Sequence, residues 1–216
     1  MPHKNPGRTG KAEGTRDAGR TREAILVAAE DCFARRGFEG TSLRGIGETA
    51  GVARSTPAYF FGSKETLYDA VLTRAIARAQ AAMARAYATG DEESAEDAVE
   101  SFVGAFLDFL DGDLNFLRLI QREALGDGSR VSEFFAHVVL EAVAAVAPAA
   151  EKAGISPQRL VLDLTALCWY PFAHEHTLLP ALGIKSRDPT FLDEQKRHLG
   201  DLVRAMTRPP RTQRIE

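Results

Sequence analysis

The sequence predicts an all-α protein of about nine helices, in which a small N-terminal three-helix domain precedes a larger helical domain. After Arg20, apolar residues recur at helical spacing over almost the whole chain. Sustained apolar–polar alternation and clusters of β-branched residues, which would indicate strands, are missing from the sequence. Glycine, proline and short Asp/Ser clusters separate the helical segments.

The first helix is predicted to begin near Thr21, a suitable N-cap, and to end near Arg36, just before Gly37. Apolar side chains at helical spacing form one stripe that we expect to be buried. This stripe consists of Ile25, Ala29, Cys32 and Phe33.

Two short helices should follow, joined by a tight turn. One opens after Ser42, and the other spans about Arg54 to Phe60. Gly51 suits a left-handed backbone conformation in the turn between them. Gly47 is small enough to let the two helices approach closely. Short helices joined by such a turn are the outline of a DNA-binding helix-turn-helix.

A long fourth helix should begin after Ser63, its predicted cap. Its inward face is predicted to carry Leu67, Val71, Ala75 and Ala79. Five further helices are predicted over residues 94–110, 113–125, 130–152, 157–182 and 189–206. Pro171 should break or kink the eighth helix.

The charge distribution separates the two parts of the chain. The net charge of the 216 residues is −3, but it is +4 through Lys64 and −7 thereafter. We therefore expect only the front of the protein to meet phosphate.

Other classes of protein are disfavoured by what the sequence lacks. It has no apolar run of about 18 residues, and its first twenty residues have no signal-peptide core. Cys32 and Cys168 are too few and too far apart to indicate a disulfide framework. His174 and His176, two apart on a helix, point in opposite directions and cannot chelate one metal ion. We predict a cytoplasmic protein without membrane association, cofactor or metal.

Residues 21–72 carry an ordered set of motifs: TRE-IL, F-ARRGF, TSLR-I, AGV, a Y-F pair and GSKE-L. This segment resembles the N-terminal domain of TetR-family repressors. The resemblance implies a regulator with a disordered basic arm at 1–19, a helix-turn-helix domain at 20–66 and a ligand-binding and dimerisation domain at 67–216. The implied partners are an operator in double-stranded DNA, a second copy of the chain and a small-molecule effector.

The resemblance also implies which residues touch DNA. Arg54 and Ser55 would face bases, where an arginine can pair with guanine. Phosphate contacts are implied for Ser42, Arg44, Thr56, Tyr59 and Lys64. For Tyr59, packing within the domain is an equally good interpretation. The arm residues Arg16, Arg20 and Arg22 could reach DNA or remain solvated.

The sequence departs from the family pattern at the third helix. Pro57 and Ala58 stand where the family usually has an aliphatic and an aromatic residue, and Phe60 replaces a common histidine. Because proline is tolerated only in the first turn, the recognition helix should start late, with Ser55 or Thr56 as its cap.

The C-terminal part supplies aromatic surface for an effector pocket, although ordinary core packing explains each aromatic residue as well. The predicted ligand-binding residues are Phe102, Phe106, Phe109, Phe116, Phe135, Trp169 and Tyr170. They favour an apolar or aromatic effector. The last two helices are implied to form the homodimer interface, with Leu160, Leu164, Leu167, Leu178, Leu199, Leu202 and Val203.

Two alternatives remain open at this point. One is a helical enzyme carrying a DNA-binding relic, against which His137, His174, His176 and His198 show no convincing catalytic partners. The other is an architectural or interaction protein that responds to no ligand. A regulator of this kind could also activate rather than repress. Repression with release by ligand would operate as a population shift between two dimer states.

Overall fold

The computed structural model describes residues 9–88, 94–185 and 189–207. Within them all regular structure is helical, and ten helices are present. They are α1 (Thr9–Arg36), α2 (Leu43–Thr49), α3 (Thr56–Phe61), α4 (Lys64–Ala88), α5 (Ala95–Gly112), α6 (Leu114–Leu125), α7 (Ser129–Ala153), α8 (Pro157–Ala173), α9 (Leu178–Ala181) and α10 (Pro189–Thr207). The chain divides into a first unit through Arg74 and a second unit from Ala75.

Helix α1 begins well before the predicted start. Thr21 is not its N-cap, because the Thr21 hydroxyl donates to the Asp17 carbonyl within the helix, at 2.9 Å. Asp17 also pairs with Arg20 one turn later, and such pairs support a helix. The predicted arm at 1–19 is therefore helical from Thr9 onward, and its first eight residues lie outside the described part of the chain.

The core of the first unit matches the predicted pattern. All four stripe residues of α1 are buried, as are Leu67 and Val71 of α4. The other two predicted inward residues of α4, Ala75 and Ala79, are also buried but belong to the second unit. Phe33 meets the ring of Tyr68 edge to face at 4.8 Å, and Phe38 lies 5.1 Å from the same ring. An aromatic cluster therefore joins α1 and α4 at the centre of this unit.

Polar contacts fix the start and the orientation of α4 within the first unit. The Ser63 hydroxyl accepts the backbone N–H of Thr66 at 3.1 Å, which confirms the predicted cap. Arg74 on α4 pairs with Glu23 at 2.6 Å and approaches the buried Glu30 at 3.6 Å. Both carboxylates lie on α1, so these contacts hold the two helices together.

In the second unit, α5 packs against α7, α8 and α10. Three ion pairs reinforce the packing: Glu96 with Lys152, Asp108 with Lys196, and Glu100 with Arg204. Gly200 lets α10 approach Glu100 closely, since a Cβ there would lie 3.4 Å from its carboxylate. Burial raises the pKa of the Glu100 carboxyl, and the Arg204 charge only partly offsets this.

The predicted eighth helix is two helices in the structure, which is why ten are present among the described residues rather than nine. Helix α8 contains Pro171 and ends at Ala173, and α9 follows after a turn. Proline has no N–H to donate to the carbonyl four residues earlier. That carbonyl, of Leu167, instead accepts the Gln195 side chain of α10 at 3.5 Å.

By length and composition alone, one helix of the described residues, α7, could cross a membrane. Its mean hydropathy is 1.5 over the relevant window, of which 24% is buried in the structure. The indication is weak, because a core helix of a globular protein meets the same criterion.

Candidate DNA-binding interface and effector cavity

Two glycines set the geometry of the helix-turn-helix, as predicted. Gly51 has a φ of +68°, a conformation that a Cβ would penalise. A Cβ on Gly47 would lie 3.2 Å from both the Ala53 carbonyl oxygen and the Arg54 Cα. The Val52 N–H donates to the Gly47 carbonyl at 3.0 Å and closes the turn. Helix α3 can therefore lie directly on α2.

The recognition helix α3 starts late, as its proline predicts. Ser55 precedes its first residue, and Pro57 occupies its first turn, where the missing N–H has no helical partner to lose. Pro57 is buried, and its Cδ would lie 3.4 Å from a Cβ on Gly47. The departure from the family pattern thus serves packing between α2 and α3.

The outer face of the motif is polar and accessible. The Tyr59 side chain is 85% exposed, which excludes packing in the core of its unit, whereas Phe61 is buried. Ser55 and Arg44 are exposed too, and Thr56 is half-buried. Ser42 accepts the Gly45 N–H at 3.1 Å and caps α2, so its hydroxyl also fixes the start of that helix.

Arg54, the predicted base-contacting residue, is held by an acidic neighbour. Its Nε lies 2.7 Å from Oε1 of Glu48 on α2, and the Arg44 Nε lies 3.6 Å from the same oxygen. The Arg54 side chain nevertheless remains 59% exposed. Glu48 therefore positions a guanidinium that is still available to a partner. Glu48 was not among the residues predicted from sequence, although its place one turn after Arg44 was a signal for an ion pair.

One predicted DNA contact, Lys64, and one arm residue for which DNA contact was left open, Arg22, are engaged inside the first unit. The Lys64 ammonium donates to the Phe38 carbonyl at 3.1 Å and lies 4.1 Å from the centroid of the Phe38 ring. The Arg22 guanidinium lies over the Phe61 ring at 4.7 Å. Both cations therefore contribute to the packing of their own unit.

The second unit contains an apolar cavity of about 100 Å³ between α4, α5, α6, α7 and α8. Six of the seven predicted ligand-binding residues line it: Phe102, Phe106, Phe109, Phe116, Phe135 and Trp169. Tyr170 lies elsewhere, with a half-exposed ring that faces His174 at 4.2 Å.

The rest of the cavity wall was not predicted from sequence. It includes Met83 of α4, Val138, Ala142 and Val146 of α7, and Cys168 of α8. Burial raises the pKa of the Cys168 thiol to about 12, so this wall residue stays uncharged. The aliphatic stripe of α7 was the available signal, but its spacing fits ordinary core packing equally well.

Several residues assigned to the dimer interface lie inside their own unit. Leu160, Leu164, Leu199 and Val203 are fully or almost fully buried within the single chain, so they cannot meet a partner. The prediction for these four was wrong, because spacing shows that a face is buried but not against what. Exposed apolar side chains on α8 and α9 are Leu162, Leu167, Tyr170, Leu178 and Leu182.

Comparison with known proteins agrees with this geometry. The family described as bacterial regulatory proteins, tetR family, matches residues 25–71. The family described as tetracyclin repressor-like, C-terminal domain, matches residues 96–203, half of the chain. The chain belongs to the TetR family. Family membership confirms the resemblance seen in the sequence and makes the protein a transcriptional regulator rather than an enzyme.

The relatives differ in how much of the chain they match. The transcriptional regulator RutR of Escherichia coli is 53% identical over 51 residues, which is about a quarter of the length of either chain (24%). The transcriptional repressor NicS of Pseudomonas putida is 28% identical over 196 residues, 86% of this chain and 92% of NicS. A putative regulator from Streptomyces coelicolor superposes with a TM-score of 0.68 at 19% identity, over 86% and 97% of the two chains.

Proposed function

We propose that this TetR-family regulator is a cytoplasmic repressor that binds a palindromic operator as a homodimer and is released when a small molecule fills the cavity of its second unit. The observation that carries the proposal is the first unit's outer face. A closely packed helix-turn-helix holds Arg54 in place and leaves its guanidinium accessible.

On the operator, Arg54 and Ser55 contact bases from the start of α3. An arginine that donates two hydrogen bonds to guanine contributes roughly 1–3 kcal/mol of discrimination between bases. Phosphate contacts from Ser42, Arg44, Thr56 and Tyr59 fix the register of the unit without reading sequence. Lys64 is the least favourable member of the predicted set, since its ammonium already donates to the Phe38 carbonyl.

A second copy of the chain is the partner for the exposed apolar residues of α8 and α9. Leu162 is 60% exposed and Leu182 is 62% exposed. A two-fold interface uses the same patch on both copies, and a palindromic operator has the same symmetry. Half-sites about 34–36 Å apart then present successive major grooves to the two α3 helices.

Helix α4 is the element through which the effector acts. Its first half supplies Leu67 and Val71 to the core of the first unit, and its second half supplies Ala79 and Met83 to the cavity wall. A molecule that binds better to one position of α4 shifts the population toward it. The proposed domains, 20–66 and 67–216, have their boundary in this helix, and the two compact units divide slightly later in the same helix, between Arg74 and Ala75.

The test is selection of operator sequences from random duplex DNA by the purified protein, followed by affinity measurements across salt concentrations. We expect an enriched palindrome, a steep loss of affinity with salt, and about tenfold or greater loss of discrimination in Arg54→Ala. Lys185→Ala, which removes an exposed cation of the second unit, should change neither the salt dependence of binding nor the discrimination between sequences. Sequence-independent binding that Arg54→Ala leaves unaltered would contradict the proposal.

A further inference from the structure

None of the described residues that line the effector cavity carries a charged side chain. Of the seventeen described residues that line it, fourteen are aliphatic or phenylalanine. The polar groups of the remainder are the Thr165 hydroxyl, the Cys168 thiol and the Trp169 indole N–H. All three are neutral, so the wall offers hydrogen bonds but no counter-ion.

Charged residues that lie close to the wall residues Phe109 and Phe116 are paired or lie in surface depressions. Arg78 pairs with Asp113 at 2.7 Å, and Asp113 also caps α6 by accepting the Phe116 N–H at 3.0 Å. Arg85 and Asp108 lie in surface depressions that share Phe109 with the cavity wall. Phe109 therefore borders both the cavity and the surface depressions that hold these charges.

A charged ligand in this cavity would lose its hydration without gaining an ion pair. An unpaired ion costs several kcal/mol to bury. The Cys168 thiol shows the same penalty, because desolvation alone raises its pKa to about 12. Burial of a hydrocarbon ligand in the same cavity is favourable, because the free energy falls when apolar surface leaves water.

The volume sets the size of the ligand. The cavity measures about 100 Å³, and an engineered apolar cavity of roughly 150 Å³ holds one benzene molecule. The cavity is smaller than that, so a single six-membered ring or a short branched chain should enter with a small movement of the wall, and larger molecules would need more.

We propose that the effector is an uncharged, predominantly hydrocarbon molecule of about one ring, with at most one hydrogen-bonding group directed at Thr165 or Trp169. The regulatory consequence rests on the proposed function, but the binding chemistry does not depend on it.

The chain carries its own probe, because Trp169 is its single tryptophan and lies in the cavity wall. We would titrate the full-length protein with four molecules of equal ring size and follow Trp169 fluorescence. Methylcyclohexane and cyclohexanol are neutral, whereas cyclohexanecarboxylate and cyclohexylammonium are charged at pH 7. None of the four absorbs where tryptophan does. We expect saturable binding of the neutral pair and at least a hundredfold weaker binding of the charged pair.

Matched variants test whether the binding site is the cavity. Ala142→Leu places extra volume in the wall of α7 and should weaken binding of cyclohexanol at least tenfold. Ala136→Leu adds the same atoms at an exposed position of the same helix and should leave binding unchanged. If Ala142→Leu does not fold, Phe106→Ala enlarges the cavity and should shift preference toward larger neutral rings.

Equal binding of the charged pair, or binding that the cavity variants leave unaltered, would overturn the inference. The proposed function and the neutral effector are contradicted by different results. Neutral molecules that bind without releasing the operator contradict the proposed function alone. Operator release by a charged molecule that also quenches Trp169 contradicts the neutral effector alone.

Discussion

The first unit joins α2 and α3 through a contact that tolerates almost no added atom, whereas the second contains unfilled space among aromatic rings. A Cβ at Gly47 would meet backbone at 3.2 Å, but the cavity of the second unit measures about 100 Å³. The proposed function gives a reason for this difference. On that proposal, a surface that reads base edges must keep its side chains in register, while a sensor must leave room for its ligand at some cost in packing.

The largest effect should come from truncation of a phenylalanine to alanine, made once in each unit so that the losses in stability can be compared. Phe33→Ala removes a fully buried ring from the aromatic cluster and should lower the free energy of unfolding of the first unit by about 3–5 kcal/mol. Phe106→Ala removes a ring that borders existing space, so its cost should be smaller, about 1–2 kcal/mol. Urea unfolding followed by circular dichroism, together with Trp169 fluorescence for the second unit, measures both.

Equal losses for the two truncations would show that the cavity wall is packed as tightly as the aromatic cluster. The contrast between the units would then be wrong. Binding of cyclohexanol to Phe106→Ala provides a check that the variant retains a folded second unit.

A methyl group at Gly47 should have the next largest effect. The neighbours of the added Cβ are the Ala53 carbonyl and the Arg54 Cα, which are backbone atoms and cannot rotate away. We expect Gly47→Ala to reduce operator affinity about tenfold by displacing α3, despite the gain in helix propensity. Gly104→Ala is the matched control, because its Cβ enters open space within α5 and should leave operator affinity unchanged.

Displacement of α3 would appear as shifted amide resonances around Arg54 in a backbone NMR spectrum. A Gly47→Ala protein with native spectra and full operator affinity would show that the contact between α2 and α3 can accommodate the added methyl group. The close approach of α2 and α3 would then not be required for recognition of the operator.

The turn and the helix starts of the helix-turn-helix could be predicted from the sequence, because the features that build them are local. The Ser63 cap, the turn conformation of Gly51 and the late start of α3 at Pro57 each follow from one residue and its immediate neighbours. The start of α1 could not be predicted this way. Thr21 suits a cap, but it lies inside a helix already formed by the preceding residues.

The second unit was predictable as helices and only partly as a site. Six aromatic residues of the cavity wall were predicted because large rings are conspicuous in sequence, and the α7 residues were missed because aliphatic spacing does not identify a partner. The same limit explains Leu160 and Leu199, which face their own core rather than a second copy. Tertiary contacts, not spacing, decide which side of an apolar helix meets ligand, core or partner.

Lys64→Met should have a smaller effect, and it distinguishes a role of the lysine in internal packing from a contact with phosphate. The substitution keeps an apolar stem but removes the ammonium that donates to the Phe38 carbonyl and lies over its ring. We expect a loss of about 1 kcal/mol in stability of the first unit. The slope of operator affinity against salt should not change. A slope reduced by about one would show instead that Lys64 binds a phosphate.

The smallest effect should come from Glu48, the carboxylate on α2 that pairs with Arg54, the residue proposed to contact bases. Its ion pair with Arg54 is exposed, and exposed pairs contribute about 0.2–1 kcal/mol. Glu48→Gln frees Arg54 to adopt other rotamers and also removes a negative charge that repels phosphate. We therefore expect non-specific affinity to rise while discrimination between the operator and a base-substituted operator falls roughly two- to fivefold. Glu39→Gln, an exposed acidic residue of the same unit, makes the same charge change and should raise affinity without altering discrimination. If both variants behave alike, Glu48 acts only through its charge. The ion pair that holds Arg54 would then contribute nothing to discrimination between bases.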